Sequence, residues 1–114
     1  MSSDKLQKTI ESLQRKFQDD SPEAVRQVYD DWAQTYDEDL DTLGYVAPQN
    51  AVALLADLLP DRESLILDAG CGTGLVGAYL QQAGYGRLHG SDYSPEMLAE
   101  AEKRGITSGW AWWI

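Results

Sequence analysis

Ser64 to Gly77 reads S-L-I-L-D-A-G-C-G-T-G-L-V-G. The apolar run Leu65-Ile66-Leu67 stops at the carboxylate of Asp68, and glycine then recurs at every second position, Gly70, Gly72 and Gly74. Leu75, Val76, Tyr79 and Leu80 follow at the spacing of one helix face. The stretch predicts a buried parallel strand, a tight glycine turn and a helix. The helix N-terminus presents free N–H groups and the positive end of its dipole to the turn. Glycine belongs there because the backbone must enter conformations that a β-carbon disfavours, and because a ligand must approach the main chain closely.

Two fingerprints fit this spacing. Gly72, Gly74 and Gly77 make G-x-G-x-x-G, and Asp92 lies 20 residues beyond Gly72, where a dinucleotide motif places its ribose-binding acid. The other frame is Asp68-x-Gly70-x-Gly72-x-Gly74, an acid followed by alternating glycines. Asp68 separates the two. A carboxylate at the strand tip repels a pyrophosphate but favours a cationic ligand group.

The segment L-D-A-G-C-G-T-G resembles motif I of the class I S-adenosylmethionine (SAM)-dependent methyltransferases. Gly90-Ser91-Asp92-Tyr93-Ser94-Pro95-Glu96-Met97-Leu98 resembles their second strand–helix unit. V-Y-D-D-W-A-Q-T-Y-D, beginning at Val28, resembles the segment before motif I in the small Williams–Beuren-region methyltransferase-like proteins. The resemblance implies a SAM-binding site. Asp68, Gly70, Gly72 and Gly74 would hold the amino acid end, with Cys71 and Thr73 in the same loop and the loop N–H groups taking the ligand carboxylate. Asp92 would bind both ribose hydroxyls, and Tyr93 and Met97 would line adenine. Tyr29 and Tyr36 would approach the methionine end from a helical lid. For these aromatics, and for Trp32, a place in the core is the other reading, and it is the one kept for Trp32.

At 114 residues the chain is one domain, with 43% hydrophobic and 25% charged residues. Its formal charge of −10, from 19 acids against 9 bases, disfavours nucleic acid and anionic membranes as partners. No apolar run reaches the ~20 residues of a membrane span. The N-terminus has no signal-peptide core, and the lone Cys71 forms no internal disulfide, so a cytoplasmic location is expected. Cys71 reads as a small residue fitting a tight loop rather than a catalytic thiol. His89 reads as structural, and no metal-ligand cluster is present.

The fold class expected is α/β, a partial Rossmann-like methyltransferase fold with N-terminal helices. Residues 1–60 form those lid-like helices, 61–105 a βαβα cofactor core, and 106–114 an apolar tail of unknown role. Leu6, Ile10, Leu13 and Phe17 stripe a first helix. Ser21-Pro22 caps a second that runs to about Tyr36, and Pro48 opens a third that Pro60 ends. Asp30 to Asp41 hold six acids and no base. That run is a solvated face or, in the sharper reading, an attractor for a cationic substrate. Lys103-Arg104-Gly105 supply the cations and glycine of a helix end.

After residue 105 the likeness stops, and three of the 4 tryptophans fall in the last five residues. A methyltransferase truncated after its second strand–helix unit is expected, with self-association burying a sheet edge, an uncovered apolar face and the tryptophans. Implied by the family is methyl transfer from SAM to a small-molecule nucleophile, with no catalytic residue assigned. An inactive SAM-binding or self-associating fragment, a nicotinamide-dependent oxidoreductase and a purely helical structural protein are the alternatives.

Overall fold

The computed structural model describes residues 3–106 and the backbone of 109–112. The elements run α1 (Ser3–Lys16), α2 (Pro22–Trp32), α3 (Tyr36–Thr42), α4 (Ala47–Leu58), β1 (Leu65–Ala69), α5 (Leu75–Gln82), β2 (Arg87–Asp92), α6 (Pro95–Glu102) and β3 (Gly109–Trp112). The mixed helix–strand order and short parallel sheet are those of a partial Rossmann-like α/β fold with N-terminal helices. No described helix is long and apolar enough to cross a membrane.

The helix starts follow their caps. Ser21 and Ser94 each accept a backbone N–H from the third residue on, Ala24 at 3.3 Å and Met97 at 3.2 Å, with proline at the first helical positions. The second helix expected from the sequence is two. It ends at Trp32, and α3 begins at Tyr36. Trp32 explains the break: its indole Nε1 donates to Asp39 Oδ2 at 2.7 Å, which folds the chain back across Ala33–Thr35. Asp37, Glu38 and Asp39 then fall in a helical first turn, where the dipole favours carboxylates.

The sheet order is β1-β2-β3, all parallel, with Leu65 opposite Arg87 and His89 opposite Gly109. The third strand corrects the two-strand expectation, because residues 109–112 of the tail pair with β2. The short Gly-Trp-Ala-Trp run has no flanking turn signal beyond Gly105, so its sequence did not mark it as a strand. The role expected for the tail's tryptophans falls outside the described side chains.

One sheet face packs against helices. Val52 of α4, Leu80 of α5, Tyr85 in the α5–β2 connection and Leu88 of β2 form the core, joined by Leu55, Leu59, Ile66, Val76 and Tyr79. Tyr85 is fully buried; its hydroxyl donates to the carbonyl of Leu59 and accepts from Arg62 Nη1 at 3.0 Å. Arg62 Nε also donates to the Ala83 carbonyl at 2.8 Å, so one side chain ties the end of α4 to the end of α5. The opposite face of β1 is open. Leu65 and Leu67 are 60% and 61% exposed, which corrects the expectation of a strand buried on both sides and displays the uncovered apolar face. The alternation follows from strand geometry, since only Ile66 and Asp68 turn toward the helices.

Candidate functional site

The glycine loop alternates left-handed glycines with residues of ordinary φ. Gly70, Gly72 and Gly74 have φ of 71°, 55° and 86°, so the alternating glycines meet a backbone requirement. Two bonds stitch the loop to the end of β2. Cys71 N–H donates to the Ser91 carbonyl at 2.8 Å, and Gly72 N–H donates to Asp92 Oδ2 at 2.9 Å. The other oxygen, Asp92 Oδ1, accepts from Ser94 N–H at 2.8 Å. The carboxylate therefore bridges the loop and the β2–α6 turn, and each of its oxygens keeps a further lone pair.

Over this seam lies a cavity of about 360 Å³, lined on the lid side by Val25, Arg26, Tyr29 and Tyr36 and on the sheet side by Gly70, Gly72, Asp92, Tyr93, Ser94 and Met97. Seven of the residues singled out in the sequence thus share one cavity: Tyr29, Tyr36, Gly70, Gly72, Asp92, Tyr93 and Met97. Asp68, Cys71, Thr73 and Gly74 do not line it. Asp68 and Gly74 border a small recess behind the loop with Ile66, Gly77 and Leu80. Burial, and then the neighbouring Asp92 carboxylate, raise the Asp68 carboxyl above its ordinary value.

Cys71 is buried, and its thiol is pushed up to about 12, first by burial and then by Asp68 and Asp92. It is no nucleophile at neutral pH. Burial also pushes the Tyr36 hydroxyl up to about 12, helped by Tyr29, Tyr45, Asp37 and Asp92. Tyr36 is accordingly a neutral donor at the cavity wall. The Cys71, Gly72 and Gly74 N–H groups all have partners within the protein, the last on the Cys71 carbonyl at 3.0 Å. This corrects the expectation that the loop amides at large stand ready for a ligand carboxylate.

The lid is held by aromatic packing. Tyr29 stacks on Trp32 at 5.9 Å between ring centres, and Tyr36 meets Trp32 edge-on at 4.5 Å. Trp32 itself is buried, as the core reading had it, so it braces the two tyrosines from behind. The sequence reading missed Arg26, whose guanidinium lies over the Tyr93 ring at 5.3 Å. Its signal was available, since Arg26 stands three residues before Tyr29 and shares that helix face. The six acids of Asp30–Asp41 prove largely engaged: Asp31 accepts from Gln27, Asp39 from Trp32 and Thr35, Glu38 pairs with Lys5, and Asp30 and Asp37 reach the sheet side.

Residues 66–112 match the family described as methyltransferase domain, so the likeness extends through β3 rather than ending near residue 105. The chain is also 50% identical over 80 residues to human methyltransferase-like protein 27 (Homo sapiens), an overlap of 68% of this chain and 33% of that protein. The overlap thus spans about a third of the length of that relative. A parallel sheet carrying an acid–glycine loop on β1 and an acid at the tip of β2, with the methyltransferase-domain match laid over those elements and half-identity to a methyltransferase-like relative beside it, places this chain in the class I SAM-dependent methyltransferase family.

Proposed function

We propose that the cavity between the lid helices and the glycine loop binds SAM, and that the protein transfers its methyl group to a small molecule. The observation that carries the reading is Asp92. Its carboxylate stands at the tip of β2 on the cavity wall, anchored by two backbone N–H groups, with lone pairs left to accept from a vicinal diol. A ribose offers that diol, and hydrogen bonds to an ionised acceptor are among the stronger ones.

The other walls fit the remaining parts of the cofactor. Tyr93 and Met97 supply apolar surface suited to a base. Tyr29 and Tyr36 close the cavity over the glycine loop, Tyr36 with a hydroxyl that stays protonated. When bound, the cofactor supplies a methyl group activated by its sulfonium. The residues named here would orient that methyl and keep water from it, since positioning carries much of the acceleration in an in-line displacement. The Asp92 carboxylate, bonded to the Gly72 N–H on the cavity wall, weighs against a pyrophosphate in the bend, and so against the nicotinamide reading. The net charge of −10 weighs against a nucleic-acid acceptor.

Titration calorimetry with SAM and S-adenosylhomocysteine tests the cofactor, and labelled-methyl transfer to small amines, thiols and hydroxyl compounds, with RNA and protein as controls, tests the acceptor. Binding of both cofactor forms with transfer to a small molecule is expected. Binding of NADH in their place, or labelling of RNA alone, would overturn the reading.

A further inference from the structure

Two lid carboxylates cross the cavity seam to two sheet-side hydroxyls. Asp37 of α3 accepts from Thr73 Oγ1 at 2.5 Å, and Asp30 of α2 accepts from the Ser94 hydroxyl. Each partner is the immediate neighbour of a cavity-wall residue or is one itself. Asp37 follows Tyr36, Thr73 follows Gly72, Asp30 follows Tyr29, and Ser94 follows Tyr93. At the first point a third group joins. Arg104, just past the end of α6, pairs through Nη2 with Asp37 Oδ2 and donates through Nε to the Thr73 carbonyl at 2.7 Å. Its Cδ also lies against Gly74, where an added β-carbon would come within 3.3 Å of it. Arg104 therefore does more than complement a helix dipole.

We propose that Asp37, Thr73 and Arg104, with Asp30 and Ser94 across the cavity, form a latch that fixes the lid on the glycine loop and governs how fast a bound nucleoside leaves. They are positioning residues: none but Ser94 lines the cavity, yet each holds a residue that does. The lid brings Val25, Arg26, Tyr29 and Tyr36 to the ligand. A ligand enclosed beneath those side chains can leave only when the seam parts. Parting it breaks charge-assisted bonds that no other described contact duplicates at the loop. The Asp37–Arg104 pair is partly exposed, so salt weakens it and the latch loosens with ionic strength. The inference rests on the SAM-binding reading for the identity of the ligand but not for the latch itself.

The test measures S-adenosylhomocysteine dissociation by surface plasmon resonance, and amide hydrogen exchange over residues 22–42, in the parent and in Asp37→Asn, Thr73→Val, Arg104→Lys and Arg104→Gln. Lys8→Gln serves as the control, because its exposed pair with Asp4 lies within α1, away from the seam. Asp37→Asn, Thr73→Val and Arg104→Gln are each expected to speed dissociation about tenfold, as the loss of one charge-assisted bond implies. Arg104→Lys, which keeps the charge but loses the two-pronged reach, should recover part of that loss. Bound ligand should slow exchange over 22–42 in the parent and much less in Asp37→Asn. Unchanged dissociation and exchange in Asp37→Asn and Thr73→Val would overturn the latch. If Asp37→Asn does not fold, Thr73→Val decides, since it leaves the Asp37–Arg104 pair in place. A parent that binds no S-adenosylhomocysteine would overturn the cofactor reading instead. Faster exchange over 22–42 in the ligand-free variants would still support the latch, and its absence would refute it.

Discussion

Replacing Asp92 by alanine removes the acceptor of two backbone N–H groups at once, those of Gly72 and Ser94. Ser94 is buried, so its N–H loses its partner where water cannot easily replace it, at about 1–3 kcal/mol. Gly72 lies at the cavity wall, where water can reach its N–H, and contributes less. Against this, removing one carboxylate relieves its repulsion with Asp68. The net loss is about 2 kcal/mol, a fall in melting temperature of about 8 °C at roughly 4 °C per kcal/mol for a domain of this size. Asp92→Asn keeps one acceptor oxygen and also relieves the repulsion, so it should lose about half as much. Both variants also lose charge-assisted bonds to a ribose diol, so S-adenosylhomocysteine affinity should fall at least about 30-fold for alanine, or ~2 kcal/mol. Thermal melts followed by circular dichroism, paired with calorimetric titration, read both effects. An Asp92→Ala protein that melts within about 2 °C of the parent and binds as tightly would refute the bridging role and the diol contact together.

Asp68 has its carboxyl raised on folding, so the folded state holds its proton more tightly than the unfolded chain, and stability falls as pH rises from the ordinary carboxyl value of 3.8 through the folded value. Asp68→Asn should therefore melt higher than the parent at pH 7, with the gain disappearing toward pH 3.8 and below. A gain that persists unchanged at low pH would contradict this. Cys71, with its thiol near 12 and buried, should react with iodoacetamide at pH 7 about a thousandfold more slowly than a free cysteine until the protein unfolds. Gly74→Ala forces a side chain into φ 86° and against Arg104, and should destabilise the fold by about 1–2 kcal/mol in denaturant melts.

The core of the site was legible because local chemistry dictates it. Alternating glycines after an apolar run announce a backbone with positive φ, and Ser94-Pro95 announces a helix start just after the second acid, so local sequence alone places the loop and Asp92. Two kinds of feature were not legible. β3 has too short a run, with no flanking turn chemistry, to be told from an apolar tail; only pairing with β2 makes it a strand. The long-range partners Asp37, Thr73 and Arg104 are 31 to 67 residues apart in sequence, and nothing in their local patterns links them. Arg104 looked complete as a helix-end cation, and the acids of Asp30–Asp41 looked like a solvated face. The break at Trp32 was hidden for the same reason. Periodicity carries the apolar face straight through to Tyr36, and the indole-to-Asp39 bond that turns the chain is a tertiary choice.

The central claim is that the tip of β2 grips a nucleoside by its ribose over a bend that holds no phosphate. A crystal structure of the chain grown with S-adenosylhomocysteine tests it most directly. The account predicts ribose hydroxyls within about 2.6–3.0 Å of the Asp92 oxygens, the base against Tyr93 and Met97, and the amino acid end toward Gly70 and Gly72 beneath Tyr36. A nucleoside bound elsewhere, or a pyrophosphate seated in the glycine bend when the crystals are soaked with NADH, would contradict it.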